Sequence, residues 1–197
     1  EKESSYYNMK LNKGKCEYIA MNKKNKLKFS DGTPLKSVND TVYLGGTLTK
    51  DVSAKTEITN RIKSTMPLLK QLDFFWRKTD CTMKWKLNVF HAVIMTKVVY
   101  GLETVQMTES AVKSLDIFHI KGLRKIMSIP STFIDRTKTN KLVIDTANNF
   151  LQLDTKVGKP LKTIKMLSEV VQAKKLTLLG HIIRMETYDI NDPMWLV

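Results

Sequence analysis

The segment DFFWRKTDCTMKWK interleaves Phe74, Phe75, Trp76 and Trp85 with Arg77, Lys78, Lys84 and Lys86. Aromatic rings stack on nucleobases while lysine and arginine meet phosphates, so this pattern offers a nucleic acid both kinds of contact. The same letters describe aromatics that pack one helix on another beside a charged loop, and the tryptophans are read that way. Further cations fall beside apolar helical stripes: Lys63 and Lys70 in one segment, Lys121, Arg124 and Lys125 in another. Charge held on helices next to an apolar core is already positioned for a nucleic-acid backbone. These nine cations are the candidate contacts.

Other chemistries find little support. VYLGGTLTKD carries two glycines after a strand-like run, but it lacks the first glycine and the Gly-Lys-Ser/Thr ending of a phosphate loop. It is not a GxGxxG turn either. Gly45 and Gly46 read instead as the place where a strand turns sharply. No serine sits in a G-x-S-x-G elbow, and no Asp-Asp or Asp-x-Asp pair could gather two cations. His91 and His119 lie in apolar helical patterns, where a satisfied core or surface-edge histidine is the usual reading. Cys16, Cys81 and the three histidines show no CxxC or HxxxH spacing, so no metal and no cofactor are expected. Two cysteines suggest no disulfide framework and fit a reducing, intracellular compartment.

The bulk charge agrees with a polyanionic partner. Thirty-three Lys and Arg stand against 19 Asp and Glu, a formal charge of +14, which raises the expectation of RNA or DNA. The cations recur along the whole chain instead of forming one juxtamembrane block, which disfavours a membrane surface. No apolar run reaches the roughly 18 residues of a membrane span. The chain begins Glu-Lys-Glu with no signal-like apolar region and reads as part of a longer protein.

These residues must be positioned by two kinds of element. CEYIAMN and VYLGG are short β-friendly runs, with Asp31-Gly32 as a turn between them. Lys15 to Gly46 is expected to form a small antiparallel unit of two to four strands, after a helix end at Tyr6 to Leu11. From Asp51 a helical period takes over: Ile58, Ile62, Leu69 and Leu72 share one face, Asp51 or Ser53 caps it, and Pro67 should kink or restart it. Lys55 and Arg61 fall mostly away from that stripe. A second helix is expected over Thr82–Tyr100 with Leu87, Phe90, Ile94 and Val98 buried and Gly101 ending it. A third runs from a Thr108 cap to Met127 with Val112, Leu115, Phe118 or His119, Leu123 and Ile126 inward. There Lys113, Lys121, Arg124 and Lys125 should stay accessible, and Pro130 closes the run. Shorter helices are expected at Thr139–Asn148 and, after Gly158-Lys159-Pro160, at Leu161–Met185. The fold class is α+β, predominantly α.

Taken in order, MKLNKGKCEYIAMN, FSDGTPLKSVNDTVYLGGTLTKD, EITNRIKS, KWKLNVFHAVIMTKVVYGLET, LDIFHIKGLRKIM, IDRTKTN and LLGHIIRM resemble the downstream half of non-LTR retrotransposon reverse transcriptases. The resemblance covers Met9 to Met185 and rests on collinearity, since each piece alone is weak. It implies that LNKGKCEYI matches the end of the palm, with Leu11, Asn12, Lys15 and Cys16 in the motif that follows the catalytic aspartates. Val42, Tyr43, Leu44, Gly45 and Gly46 would form the primer-grip hairpin. Residues 1–50 then correspond to palm end and primer grip, 51–128 to a helical thumb, and 129–197 to a linker. The Asp-Asp box would lie upstream of Glu1, and no cysteine cluster follows for a zinc knuckle. Pro67 departs from a thumb helix that the family usually keeps uninterrupted.

The expected function is a non-catalytic, reverse-transcriptase-derived subunit that binds RNA or an RNA/DNA hybrid, or acts as a scaffold, with other protein subunits in a ribonucleoprotein of the nucleus or an organelle. One alternative is the C-terminal part of an active RNA-directed DNA polymerase. Another is a basic protein-interaction module whose lysines are only solvated faces.

Overall fold

The computed structural model describes residues 6–21, 26–43, 45–51, 54–152 and 163–184. Leu44 of the expected hairpin, the cap Ser53 and the break at Gly158 to Pro160 lie outside them. The chain divides into a strand-bearing unit up to Asn60 and a helical unit from Arg61 onward. This is the α+β, predominantly α architecture expected from the sequence.

In the first unit, β1 (Glu17–Tyr18) pairs with β2 (Lys36–Ser37), and β3 (Asp40–Tyr43) pairs with β4 (Gly46–Thr49). Two features correct the expected antiparallel unit. β1 and β2 run parallel, so the turn at Asp31-Gly32, which pairs Lys28 with Pro34, is not the single reversal of a hairpin joining them. The glycine pair does not end the unit either, since β4 starts at Gly46. Tyr43 faces Gly46 across the antiparallel register. Between them Gly45 adopts φ +83°, a conformation that costs a side-chain-bearing residue about 1–2 kcal/mol. The Glu57 carboxylate accepts the Thr47 amide at 2.7 Å at the start of β4.

Helix α1 spans Ala54–Gln71 and passes through Pro67 without restarting. Proline withdraws the bond to the Lys63 carbonyl, and the neighbouring Ser64 carbonyl is taken by Lys97 Nζ at 3.1 Å. Ile58 and Leu69 are buried as expected, Ile62 and Leu72 half-buried. Arg61 is buried instead of facing away from the stripe, its guanidinium 6.0 Å from the Tyr100 ring.

After the short α2 (Asp73–Lys78), the expected second helix appears in three pieces: α3 (Met83–Val89), a π-helical stretch Phe90–Met95, and α4 (Thr96–Val99). Thr82 Oγ1 caps α3 by accepting the Trp85 amide. Leu87, Phe90, Ile94 and Val98 are fully buried, and Gly101 leaves the helix at φ +67°. Helix α5 (Glu109–Met127) begins at its Thr108 cap. Its inward face carries Leu115, Phe118, His119, Leu123 and Ile126; Val112 is half-buried. Gly122 makes room for Phe90, whose Cζ would lie 2.5 Å from an added Cβ.

Helices α6 (Asn140–Gln152) and α7 (Leu167–Arg184) both pack on α5. The helical unit thus includes the described residues on both sides of the boundary expected at 128/129, while the one expected at 50/51 falls ten residues later, between Asn60 and Arg61. Asp116 on α5 holds the first turn of α7 by accepting the Ser168 amide and hydroxyl at 2.9 and 2.8 Å. No helix among the described residues is long and apolar enough to cross a membrane.

Candidate nucleic-acid interface

Four of the nine candidate cations line one surface depression of about 580 Å³. Arg77 comes from the last turn of α2. Lys121, Arg124 and Lys125 come from the end of α5, where spacings of three and four residues put them on one face. Ser128, Ile129, Pro130 and Ser131 of the following loop complete the wall.

Helix α2 is anchored by the buried Trp76. Its indole Nε1 donates to the Leu69 carbonyl at 3.2 Å, and Phe75 meets its ring edge-on at 4.9 Å. One aromatic anchor buried in the core therefore fixes where the next residue, Arg77, emerges. The loop wall begins where α5 ends at Ser128, which adopts φ 56° and ψ 32°. The Ile129 amide returns to the Arg124 carbonyl at 2.9 Å, the backbone closure usually made with glycine at the left-handed position.

Arg124 braces that loop. Its guanidinium donates to the Pro130 carbonyl, to the Lys138 carbonyl at 2.6 Å and to Asn140 Oδ1 at 3.1 Å. Lys125 Nζ pairs with Asp73 Oδ1 at 2.7 Å, and Arg77 Nε reaches the same oxygen at 3.4 Å. The hydrogen bond from Lys125, with the nearby charges of Lys125 and Arg77, holds the Asp73 carboxyl below the ordinary aspartate value. Lys121 is exposed, with no ion-pair partner among the described residues. Four cationic side chains thus line the depression, and two of them, Arg77 and Lys125, pair with the carboxylate of Asp73. Serine hydroxyls at 128 and 131 add neutral donors suited to phosphate oxygens.

The remaining candidates lie elsewhere. Lys63 and Lys70 are exposed on α1, Lys78 is exposed on α2, and Lys84 is half-buried on α3. Lys86 departs furthest from its expected role. It is 7% exposed, and its ammonium donates to the carbonyls of Trp76 and Thr79 at 2.9 and 3.0 Å. It satisfies carbonyls left open at the end of α2 and is not presented to a ligand. Arg124 and Lys125, expected to be accessible, are half-buried by the loop and by Asp73. Among the aromatics, Trp76 is core, whereas Phe74 and Trp85 are exposed. In the hairpin, Val42 and Tyr43 face outward at 73% and 64% exposure.

The histidines are not a second site of the same kind. His91 and His119 meet edge-on with ring centroids 5.8 Å apart, and His119 stacks on Phe90 at 6.2 Å. Both nitrogens of the fully buried His119 lack hydrogen-bond partners among the described residues, so it is not the satisfied core histidine expected from the sequence. Burial, helped by the neighbouring His91, pushes its pKa down to about 4. Both cysteines are free thiols. Among the described residues, no group of three His, Cys, Asp or Glu side chains could hold a metal ion.

Sequence reasoning singled out the cations of the depression but passed over Ser128, Ser131 and the loop beyond them. The signal available was the run IPSTFI, in which proline, serine and threonine mark a turn while Phe133 and Ile134 remain apolar within it. Comparison with models of known protein families, with curated proteins and with solved structures returned no match.

Proposed function

We propose that this protein binds RNA or an RNA/DNA hybrid through the phosphate backbone, as a non-catalytic, reverse-transcriptase-derived subunit of a larger assembly. The observation that carries the reading is the convergence of Arg77, Lys121, Arg124 and Lys125, from two helices, on one depression with two serine hydroxyls in its wall. Asp73 holds Arg77 and Lys125 in place, and a phosphate would compete with it for the same cations. The resemblance to non-LTR reverse transcriptases supports the choice of RNA and of a hybrid as ligands.

The experiment is a titration of a structured RNA at several salt concentrations. Counterion release makes log affinity fall linearly with log salt, by roughly 0.7–0.9 per phosphate neutralised. Lys121→Glu should weaken binding to unrelated sequences alike and flatten that slope by about one. Affinity that hardly changes with salt, or a loss confined to one sequence, would contradict backbone binding.

A second reading, part of an active RNA-directed DNA polymerase, is favoured by the outward-facing Val42 and Tyr43 of the hairpin. It requires that alanine at both positions weaken binding to a recessed primer end more than to a continuous duplex.

A further inference from the structure

The loop that walls the depression carries two apolar side chains that the fold leaves in water. Phe133 is 97% exposed and Ile134 is 77% exposed. The backbone beneath them is braced. The amides of Ile134 and Asp135 both donate to the Ser131 carbonyl at 3.0 Å. The Asp135 carboxylate accepts the Thr137 amide and hydroxyl at 2.9 and 2.6 Å. Arg124 fixes both ends of the loop through Pro130, Lys138 and Asn140. A phenylalanine is therefore held two residues from Ser131, and two residues of chain span at most about 7 Å.

A ligand that uses both features needs an anionic group and a flat apolar face within about one nucleotide of each other. A nucleotide with an unstacked base has both. In a continuous duplex the base faces cover one another, and the tip would meet only phosphates and water. An anionic membrane shares the charge complementarity, but a flat surface cannot enter a concave depression to reach its cations.

We propose that the depression and the Phe133–Ile134 tip form one composite site for unpaired nucleotides. The cations take a backbone phosphate, Phe133 stacks on the adjacent base, and Ile134 covers the edge of the ring. This rests on the nucleic-acid reading above and adds to it a preference for single-stranded over duplex segments.

The test measures binding of the full chain to a short oligouridylate, a blunt duplex of mixed sequence, and phosphatidylcholine vesicles with and without phosphatidylserine. The wild type should favour the oligouridylate. Because Phe133 supports no packing, Phe133→Ala should fold normally, lose about 5- to 150-fold affinity for the single strand, and leave duplex binding unchanged. Phe133→Trp should restore or exceed wild-type single-strand affinity. If Phe133→Ala leaves the oligouridylate untouched while Lys121→Glu weakens it, the composite site is wrong and backbone binding stands. If the wild type binds neither nucleic acid at low salt, both proposals fall. If Phe133→Ala removes only binding to phosphatidylserine vesicles, the tip is a lipid wedge and the composite site is overturned.

Discussion

His119 is buried in the helical core with no hydrogen-bond partner among the described residues, and replacing it should make the protein more stable. Its ring is fully buried and stacks on Phe90, and neither nitrogen has a partner among the described residues. An unsatisfied buried polar group costs about 1–3 kcal/mol. His119→Leu removes that cost while keeping a side chain of similar volume, at a packing cost under about 1.5 kcal/mol. A gain of about 1 kcal/mol at neutral pH is expected, worth a rise in melting temperature of roughly 2–4 °C.

The pH dependence is the sharper readout. The folded pKa is lowered from 6.5 to about 4, so the unfolded chain binds the proton more readily. Stability from keeping the ring neutral is present above pH 6.5 and is lost as pH falls toward 4. Each pH unit separating the folded from the unfolded value is worth about 1.4 kcal/mol, so the full loss is about 3 kcal/mol, of which about 2 kcal/mol falls between pH 7 and pH 5. Urea unfolding at pH 7, 6 and 5 measures this directly. The wild type should lose that stability, and His119→Leu should retain most of it, leaving the smaller contribution of His91, whose pKa burial also lowers. The paired carboxylates of Asp31, Asp73 and Asp135 are held below their ordinary value, so they titrate at lower pH and cancel in the comparison. If the variant is less stable at pH 7 and falls with pH as steeply as the wild type, the account of an unpartnered core histidine is wrong.

Three further outcomes are expected. Lys86→Met should destabilise the protein by about 2 kcal/mol, since two carbonyls at the end of α2 lose a charged donor, yet leave the salt dependence of RNA binding unchanged. A flattened slope would return Lys86 to the interface. Ser128→Gly should raise stability by about 0.5–1 kcal/mol in denaturant melts, because glycine enters the left-handed conformation freely; a loss would mean that the serine hydroxyl holds the loop. Gly45→Val should cost at least about 1–2 kcal/mol through its positive φ and show in thermal unfolding of the strand-bearing unit, and an unchanged melting curve would refute it.

The helices were legible because their signal is local. Apolar residues every three or four positions placed Leu87, Phe90, Ile94 and Val98 on one buried face, and Thr108 marked the start of α5. The turn at Asp31-Gly32 and the sharp bend at Gly45 were legible for the same reason, since each depends on the conformational range of one or two residues. Strand direction was not: whether β2 returns parallel or antiparallel to β1 depends on how many reversals intervene, and residue types along a strand do not count them. Nor does periodicity reveal a π-helical stretch, which shifts the bonding partner by one residue without changing which side chains are apolar.

The cations divide along the same line. Their number and the bulk charge follow from composition alone, and so does the expectation of a polyanionic partner. Which of them converge is a tertiary matter. Arg77 and Lys125 meet across two helices because both pair with Asp73, and Arg124 is drawn down onto the loop carbonyls. Lys86 turns inward because the end of α2 leaves carbonyls open beside it. A lysine stem is long and flexible, so its helical position says only where the chain starts. The carbonyls and carboxylates that packing brings within hydrogen-bonding reach decide where the charge ends. Phe133 is the converse case: an apolar side chain held in water by a turn whose bonds close within a few residues.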